Sequence, residues 1–539
     1  MRKIVGGKAN FFPLKVSANY AARLRKSAPL LLIFVIFIGI TLTMNRYFGV
    51  FDRIDFGGAR FLQYLFTGLF SMTIIATIIL IILENGRPTK TIAWILIMVL
   101  VPLIGFMLYL FFGRNYRRNK IFSGKGLSDL IRIEELSQNQ IRELSNQSLL
   151  ENPYIKSKGN IMRLLLNNSK ALLTENNKAE ILNNGTATFE KILEDLGKAK
   201  HHIHLEYYIL EDDKIGNKIK DVLIDKARQG VEVRIIYDKV GSWGLGNRYL
   251  RELKANGVAL LAFMPVHFPS FANKVNYRNH RKIIVIDGLI GFTGGINIAD
   301  KYIEGDPDLG FWRDTHLKLE GDAVHSLQAV FLTDWYFVSE RAVISDDLYF
   351  PDHNITDKVL VQIAASGPDS DWASIMQAYF MAITTAQNYI YISTPYFMPN
   401  ESILTALKTA ALSGVKVVIL LPGKTDFFLY TWTTRSYLTE LVEAGIEVYI
   451  YKKGFTHSKL IMVDGMFASV GTANMDMRSF DQNFEVNALI YDKKTTRQLE
   501  TAFEEDLTHS ERVSINALND RPITTRIRES AARVFTPLL

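Results

Sequence analysis

Two stretches of the chain carry the same set of polar residues at the same spacing. The first holds His280, Lys282, Asp287, Gly294 and Asn297; the second holds His457, Lys459, Asp464, Gly471 and Asn474. Both read H-x-K-x4-D-x6-G-x-x-N. With ten histidines in 539 residues, about 0.04 chance copies of the H-x-K-x4-D part are expected per chain at ordinary residue frequencies. Two copies therefore mark a device. His316 and Lys318 share the H-x-K spacing, but Ala323 stands where the aspartate should.

Residues two apart on an extended chain face the same way, so each histidine projects beside its lysine. Two such pairs brought together would surround one pocket with two imidazoles and two ammonium groups. That combination suits a phosphodiester. The lysines, helped by Asn297 and Asn474, would neutralise the non-bridging oxygens as the transition state forms. One imidazole could attack phosphorus and hold it covalently while the other protonates the leaving alkoxide. Asp287 and Asp464 belong to the catalytic motif but lie seven residues from their histidines, each before a glycine. Their expected part is chiefly structural, organising a turn. The carboxylates that orient the imidazoles should then come from elsewhere, and Asp314 in the FWRD stretch and Glu485 in the NFE stretch are the candidates. Protonated lysines beside the histidines argue against a metal in this motif, and no cofactor is expected. A metal reading of His201, His202 and His204 lacks a partner at a recognised ligand spacing; a strand lining the site, with Glu206 nearby, is the preferred reading.

The elements that must position these residues form a duplicated α/β pattern. The strand-like segments GVEVRIIYD and GVALLAF of the first half recur as GVKVVILLP and GIEVYIY in the second. The expected organisation is a membrane region over 1–120, a helical linker over 121–175, one α/β domain over 176–345, another over 346–515, and an amphipathic tail over 516–539. The tail is expected to dock on the second domain.

Three apolar runs, 29–44, 61–83 and 91–112, lie in the first region. The last two are long enough for a membrane-crossing hairpin, since a span takes about 20 residues; the first is a third span or an interfacial helix. Basic residues crowd 2–26 and 114–120. With three spans these clusters fall on opposite sides and leave orientation open; with two they agree on the cytoplasm. The net charge of +7 favours anionic partners, and the absence of cysteine excludes disulfides and a thiol nucleophile. Nucleic acid is not the expected partner, because the basic residues gather beside the apolar runs rather than among stacking aromatics.

The paired motifs resemble those of the phospholipase D superfamily. The segments 276–282, 311–314, 477–480 and 483–485, with Pro88, 91–94, Pro102, Gly105, Tyr109 and 113–115, look like bacterial cardiolipin synthases from about residue 60 onward. The resemblance implies two α/β/α domains with mixed sheets, facing each other around one site. It implies metal-independent transfer of a phosphatidyl group through a phosphohistidine, with phosphatidylglycerol as donor and acceptor and glycerol leaving. By analogy His280 is the nucleophile and His457 the acid, then base, although the two could be exchanged. Water or serine as acceptor would make the chain a phospholipase D or a phosphatidylserine synthase; a membrane-tethered nuclease is the more distant option. The resemblance places the protein in the bacterial cell membrane as a multi-pass protein with cytoplasmic catalytic domains. Self-association as a homo-oligomer is left open.

Overall fold

A computed structural model describes residues 59–83, 88–109, 136–142, 153–263, 277–339, 347–534 and 536. The chain divides into two compact units, one N-terminal and one holding both motifs.

In the N-terminal unit, helix Ala59–Leu83 contains an 18-residue stretch, Phe66–Leu83, apolar enough to cross a membrane, and a shorter apolar stretch follows at Thr91–Leu100. The run over 91–112, expected as one span, is broken. Helix Pro88–Leu100 ends at Val101, and Pro102 starts a separate helix, Pro102–Leu108. Proline has no N–H and clashes with the carbonyl four residues back. Gly105 then lies so close to the Ile97 and Met98 backbone that a Cβ would collide, and Trp94 meets Tyr109 edge-on at 5.6 Å. The run over 29–44 lies outside the described residues.

The second unit is built on two mixed sheets. The first runs, in spatial order, Asn177–Asn183, Thr315–Gly321, Ile290–Gly294, Ile283–Ile286, His202–Tyr207, Glu232–Asp238, Ala259–Phe263. The second repeats that order as Leu360–Ser366, Glu485–Tyr491, Phe467–Gly471, Leu460–Val463, Tyr389–Ser393, Lys416–Pro422, Glu447–Tyr451. It gains the edge strands Leu173–Thr174 and Ser510–Arg512. In each, the last three strands of the shared order are parallel and the others antiparallel.

Strand alternation decides which sheet face meets which layer. Ile284 and Ile286 enter the helix-covered core of the first half. Ile283 and Val285 enter a shared apolar layer with Val418, Leu420, Leu460, Met462, Val486 and Ala488 of the second. That layer locks the halves together. Two parallel strand contacts cross between them: Gly454–Thr456 pairs with Phe311–Arg313, and Asn279 bridges to Phe484. Helix Pro153–Ser169, in the expected linker, packs into the second half through Ile161, Met162, Leu165 and Leu166. Helix Ile523–Val534 lies on Phe428–Glu443, held by Arg533–Glu440 at 2.7 Å and by Arg533 over the Tyr437 ring.

Candidate active site

Each histidine sits in the extended segment leading into its motif strand, Ile283–Ile286 or Leu460–Val463. The His280 N–H donates to the Phe484 carbonyl at 2.9 Å, and the His457 N–H to the Arg313 carbonyl at 2.7 Å. Each of those carbonyls belongs to the residue just before an expected orienting carboxylate. The side chains therefore cross the same boundary. His457 Nδ1 lies 2.7 Å from Asp314 Oδ2, and His280 Nδ1 lies 3.2 Å from Glu485 Oε1. Every imidazole thus faces a buried carboxylate supplied by the opposite half.

The lysines complete the pocket. Lys282 Nζ donates to the His280 carbonyl at 2.8 Å and Lys459 Nζ to the His457 carbonyl at 2.6 Å. Burial, with the opposing Lys459 ammonium second, pushes the Lys282 amine down to about 7. Burial pushes Lys459 down to about 8, against the pull of Asp314 and Glu485. Burial raises Asp314 to about 6, although both lysines draw it the other way. His457 is held well below its usual range by burial and then by the Lys459 and Lys282 cations, a pull that a bound anion would offset. Two desolvated cations facing each other have every reason to accept an anion between them.

The motif aspartates sit elsewhere. Asp287 and Asp464 adopt positive φ, 54° and 55°, in the turns after the motif strands. Asp287 accepts the N–H groups of Lys200, His201 and His202 at 2.7–2.9 Å. Asp464 accepts those of Gln387, Asn388 and Tyr389 and pairs with Lys158 at 3.4 Å. Each carboxylate clamps the entrance to the first of the three parallel strands of its sheet, His202–Tyr207 or Tyr389–Ser393, and makes no contact with a motif histidine or lysine among those described. The motif glycines serve strand crossing: a Cβ on Gly294 would run into His316, and one on Gly471 into Asn487. Gly295 carries the same logic into the site, since a Cβ there would collide with the Asp314 carboxylate.

Asn297 is engaged on both atoms. Its Oδ1 accepts from Ile209 N–H at 3.1 Å and its Nδ2 donates to Tyr302 Oη at 2.6 Å. Asn474 is buried, and its N–H donates to Ser479 Oγ at 3.1 Å. His202 and His204 do not line the motif pocket. They face helix Asp322–Ser339, where both meet Gln328 and the His204 ring stacks on Phe331. Glu206 reaches closer, accepting from Asn279 beside His280. The look-alike His316 is a core residue, and Lys318 pairs with Asp195 at 2.7 Å. Sequence reasoning assigned no part to Tyr208, whose ring lies 4.2 Å from that of His280, nor to Asn483, whose Nδ2 lies 3.3 Å from His280 Nδ1. Only proximity in the fold identifies them.

A family model described as cardiolipin synthase, PLD-like domain, matches residues 192–335 and 379–507. A second, phospholipase D-nuclease N-terminal, matches 72–114. The chain is 43% identical over 511 residues to the cardiolipin synthase of Geobacillus thermodenitrificans (strain NG80-2), covering 94% of this chain and 98% of that one. It is 41% identical over 472 residues to the major cardiolipin synthase ClsA of Bacillus subtilis (strain 168), covering 87% and 98%. Among solved structures, the phosphatidylserine synthase of Haemophilus influenzae Rd KW20 shares the fold, with a TM-score of 0.56 at 16% identity over 70% of this chain and 100% of that chain. With matches of this extent laid over a doubled His–Lys site, the chain belongs to the bacterial cardiolipin synthases, phosphatidyltransferases of the phospholipase D superfamily.

Proposed function

We propose that the site moves a phosphatidyl group from one phosphatidylglycerol to another, giving cardiolipin and glycerol through a covalent phosphohistidine. The observation that carries this reading is the crossed arrangement, in which each imidazole has its Nδ1 against a carboxylate of the other half. With Nδ1 engaged, Nε2 is the nitrogen left for chemistry.

His280 attacks phosphorus, a P–N bond forms, and the P–O bond to the departing glycerol breaks as His457, charged once the phosphodiester anion offsets the lysine cations, gives that oxygen its Nε2 proton and becomes neutral. Glycerol leaves, and the terminal hydroxyl of a second phosphatidylglycerol takes its place. His457 now removes the hydroxyl proton as oxygen attacks phosphorus and His280 is released. Asp314 stabilises the imidazolium that His457 becomes, and Glu485 does the same for the charged ring of the intermediate. Lys282 and Lys459, with Asn297 and Asn474 holding the surrounding loops, neutralise the non-bridging oxygens. Membrane association accords with helix Phe66–Leu83 and with the family. A multi-pass anchor with the catalytic unit on the cytoplasmic side completes the reading.

The test is a product analysis. Purified protein given phosphatidylglycerol and a chelator should release cardiolipin and glycerol in equal amounts. Phosphatidic acid in place of cardiolipin would make water the acceptor and overturn the synthase reading.

A further inference from the structure

Each half follows its second parallel strand with a segment that carries exposed aromatic side chains. After Glu232–Asp238 comes Trp243, 82% exposed. After Lys416–Pro422 come Phe427 and Phe428, 43% and 57% exposed. These segments occupy corresponding places in the duplicated fold, and both are held firmly. Asp238 Oδ1 accepts the N–H groups of Val240 and Gly241 at 2.9 Å, and Trp243 N–H donates to the Val240 carbonyl. On the other side, Thr425 Oγ1 donates to the Phe427 carbonyl at 2.8 Å, and the Phe427 ring meets Phe428 and Tyr430.

Both segments also reach the reacting groups. Gly241 lies directly on Tyr208, whose ring contacts His280. The Tyr430 ring lies tilted beside that of Tyr396 at 4.9 Å, and Tyr396 packs into the first half's core together with Tyr302, whose ring is 6.0 Å from that of His457. Each segment thus leads inward to a motif histidine, the first through Tyr208 to His280 and the second through Tyr430 and Tyr396 towards His457. The exposed parts of these rings, held on firmly bonded turns, are apolar surface open to a partner. Trp and Phe at such positions match the headgroup boundary of a bilayer. The exposed cations Lys424 and Arg248 on the same segments suit an anionic surface, and the one exposed acid between Lys424 and Phe427, Asp426, accepts from Tyr396 Oη at 2.7 Å.

We propose that this rim, Trp243 on one side and Phe427 with Phe428 on the other, rests in the headgroup layer of an anionic bilayer, so that a lipid phosphate reaches the histidines without leaving its leaflet. The inference rests on the lipid substrate proposed above.

The test reconstitutes the full-length protein in phosphatidylglycerol vesicles whose acyl chains carry bromine, with unbrominated vesicles as reference. Bromine should quench the wild type more than Trp243→Phe, the difference being the signal of Trp243 itself. Equal quenching would leave the rim outside the bilayer, free for a protein surface, and would overturn the proposal. A Phe427→Ser/Phe428→Ser variant should lose ten-fold or more of its turnover on vesicles while keeping turnover of dissolved short-chain phosphatidylglycerol within two-fold. Equal losses on both substrates would also overturn it. If the wild type turns over neither substrate, the transfer reading fails, and the quenching alone decides the rim.

Discussion

Replacing Asp314 with Asn changes charge and proton placement at His457 while keeping shape. The carboxylate is fully buried, receives Thr315 N–H on Oδ1 at 2.7 Å, and faces His457 Nδ1 with Oδ2 at 2.7 Å. An amide can keep the Thr315 bond through its oxygen, which leaves only the amide nitrogen for His457. Two donors cannot share that bond, so the neutral ring must move its proton to Nε2. It then lacks the lone pair needed to take a proton from the incoming hydroxyl. The charge-assisted bond to the imidazolium, worth about 1.5–3 kcal/mol, is lost as well. Together these effects should cost about 10²–10⁴-fold in kcat. The assay is cardiolipin formation from phosphatidylglycerol in mixed micelles, with circular dichroism melting as the control for folding. Asp314→Asn turning over within three-fold of the wild type, with an unchanged melt, would refute the role given to this carboxylate.

Glu485→Gln should be milder, about 10–100-fold, because its contact to His280 is longer at 3.2 Å; steady-state rates on the same micelles check it. Asp287→Ala and Asp464→Ala should lower the thermal midpoint by several degrees, since each removes the acceptor of three backbone N–H groups. The folded fraction, counted by native-gel density, should retain most of its specific activity. The pH profile of kcat/KM should fall below about 6 as Asp314 is protonated, and above about 7–8 as Lys282 and Lys459 lose charge. An anion between the lysines favours their charged forms, so the alkaline limb of kcat should lie higher than that of kcat/KM. The same lysines are depressed from 10.5 in the folded state. Between those values and 10.5 the unfolded chain binds protons that the folded site does not, so the cost of burying the two lysines grows as pH falls from about 10 towards 8 and 7 and levels off below; melting of the ligand-free protein from pH 7 to 10 should show stability rising.

The motifs, the duplication and the mixed α/β architecture were legible because they depend on local spacing and on residue types that recur. Parity along the strand also separated Asp287 and Asp464 from the histidines, and the two turns with positive φ carry that separation. The crossed pairing was not legible. Asp314 and Glu485 each follow their own motif in the chain, yet each turns to the histidine of the other half, because the Gly454–Thr456 and Phe311–Arg313 segments pair across the boundary. No local pattern encodes that contact. The same limit applies to helix Pro153–Ser169, which precedes the first sheet in sequence and packs on the second half. The break at Pro102 had a visible cause in the residue itself, but apolar composition through 91–112 masked it. His202 and His204 share a strand face as alternation requires; which layer that face meets depends on helix Asp322–Ser339, far along the chain.

The covalent intermediate is the claim on which the transfer mechanism stands. Protein mixed with phosphatidylglycerol, denatured within milliseconds in alkali where a phosphoramidate survives, and digested, can be mapped by mass spectrometry. The account predicts a phosphorylated adduct on the peptide carrying His280, absent from His280→Ala. An adduct on neither His280 nor His457, with cardiolipin still forming at the wild-type rate, would contradict it.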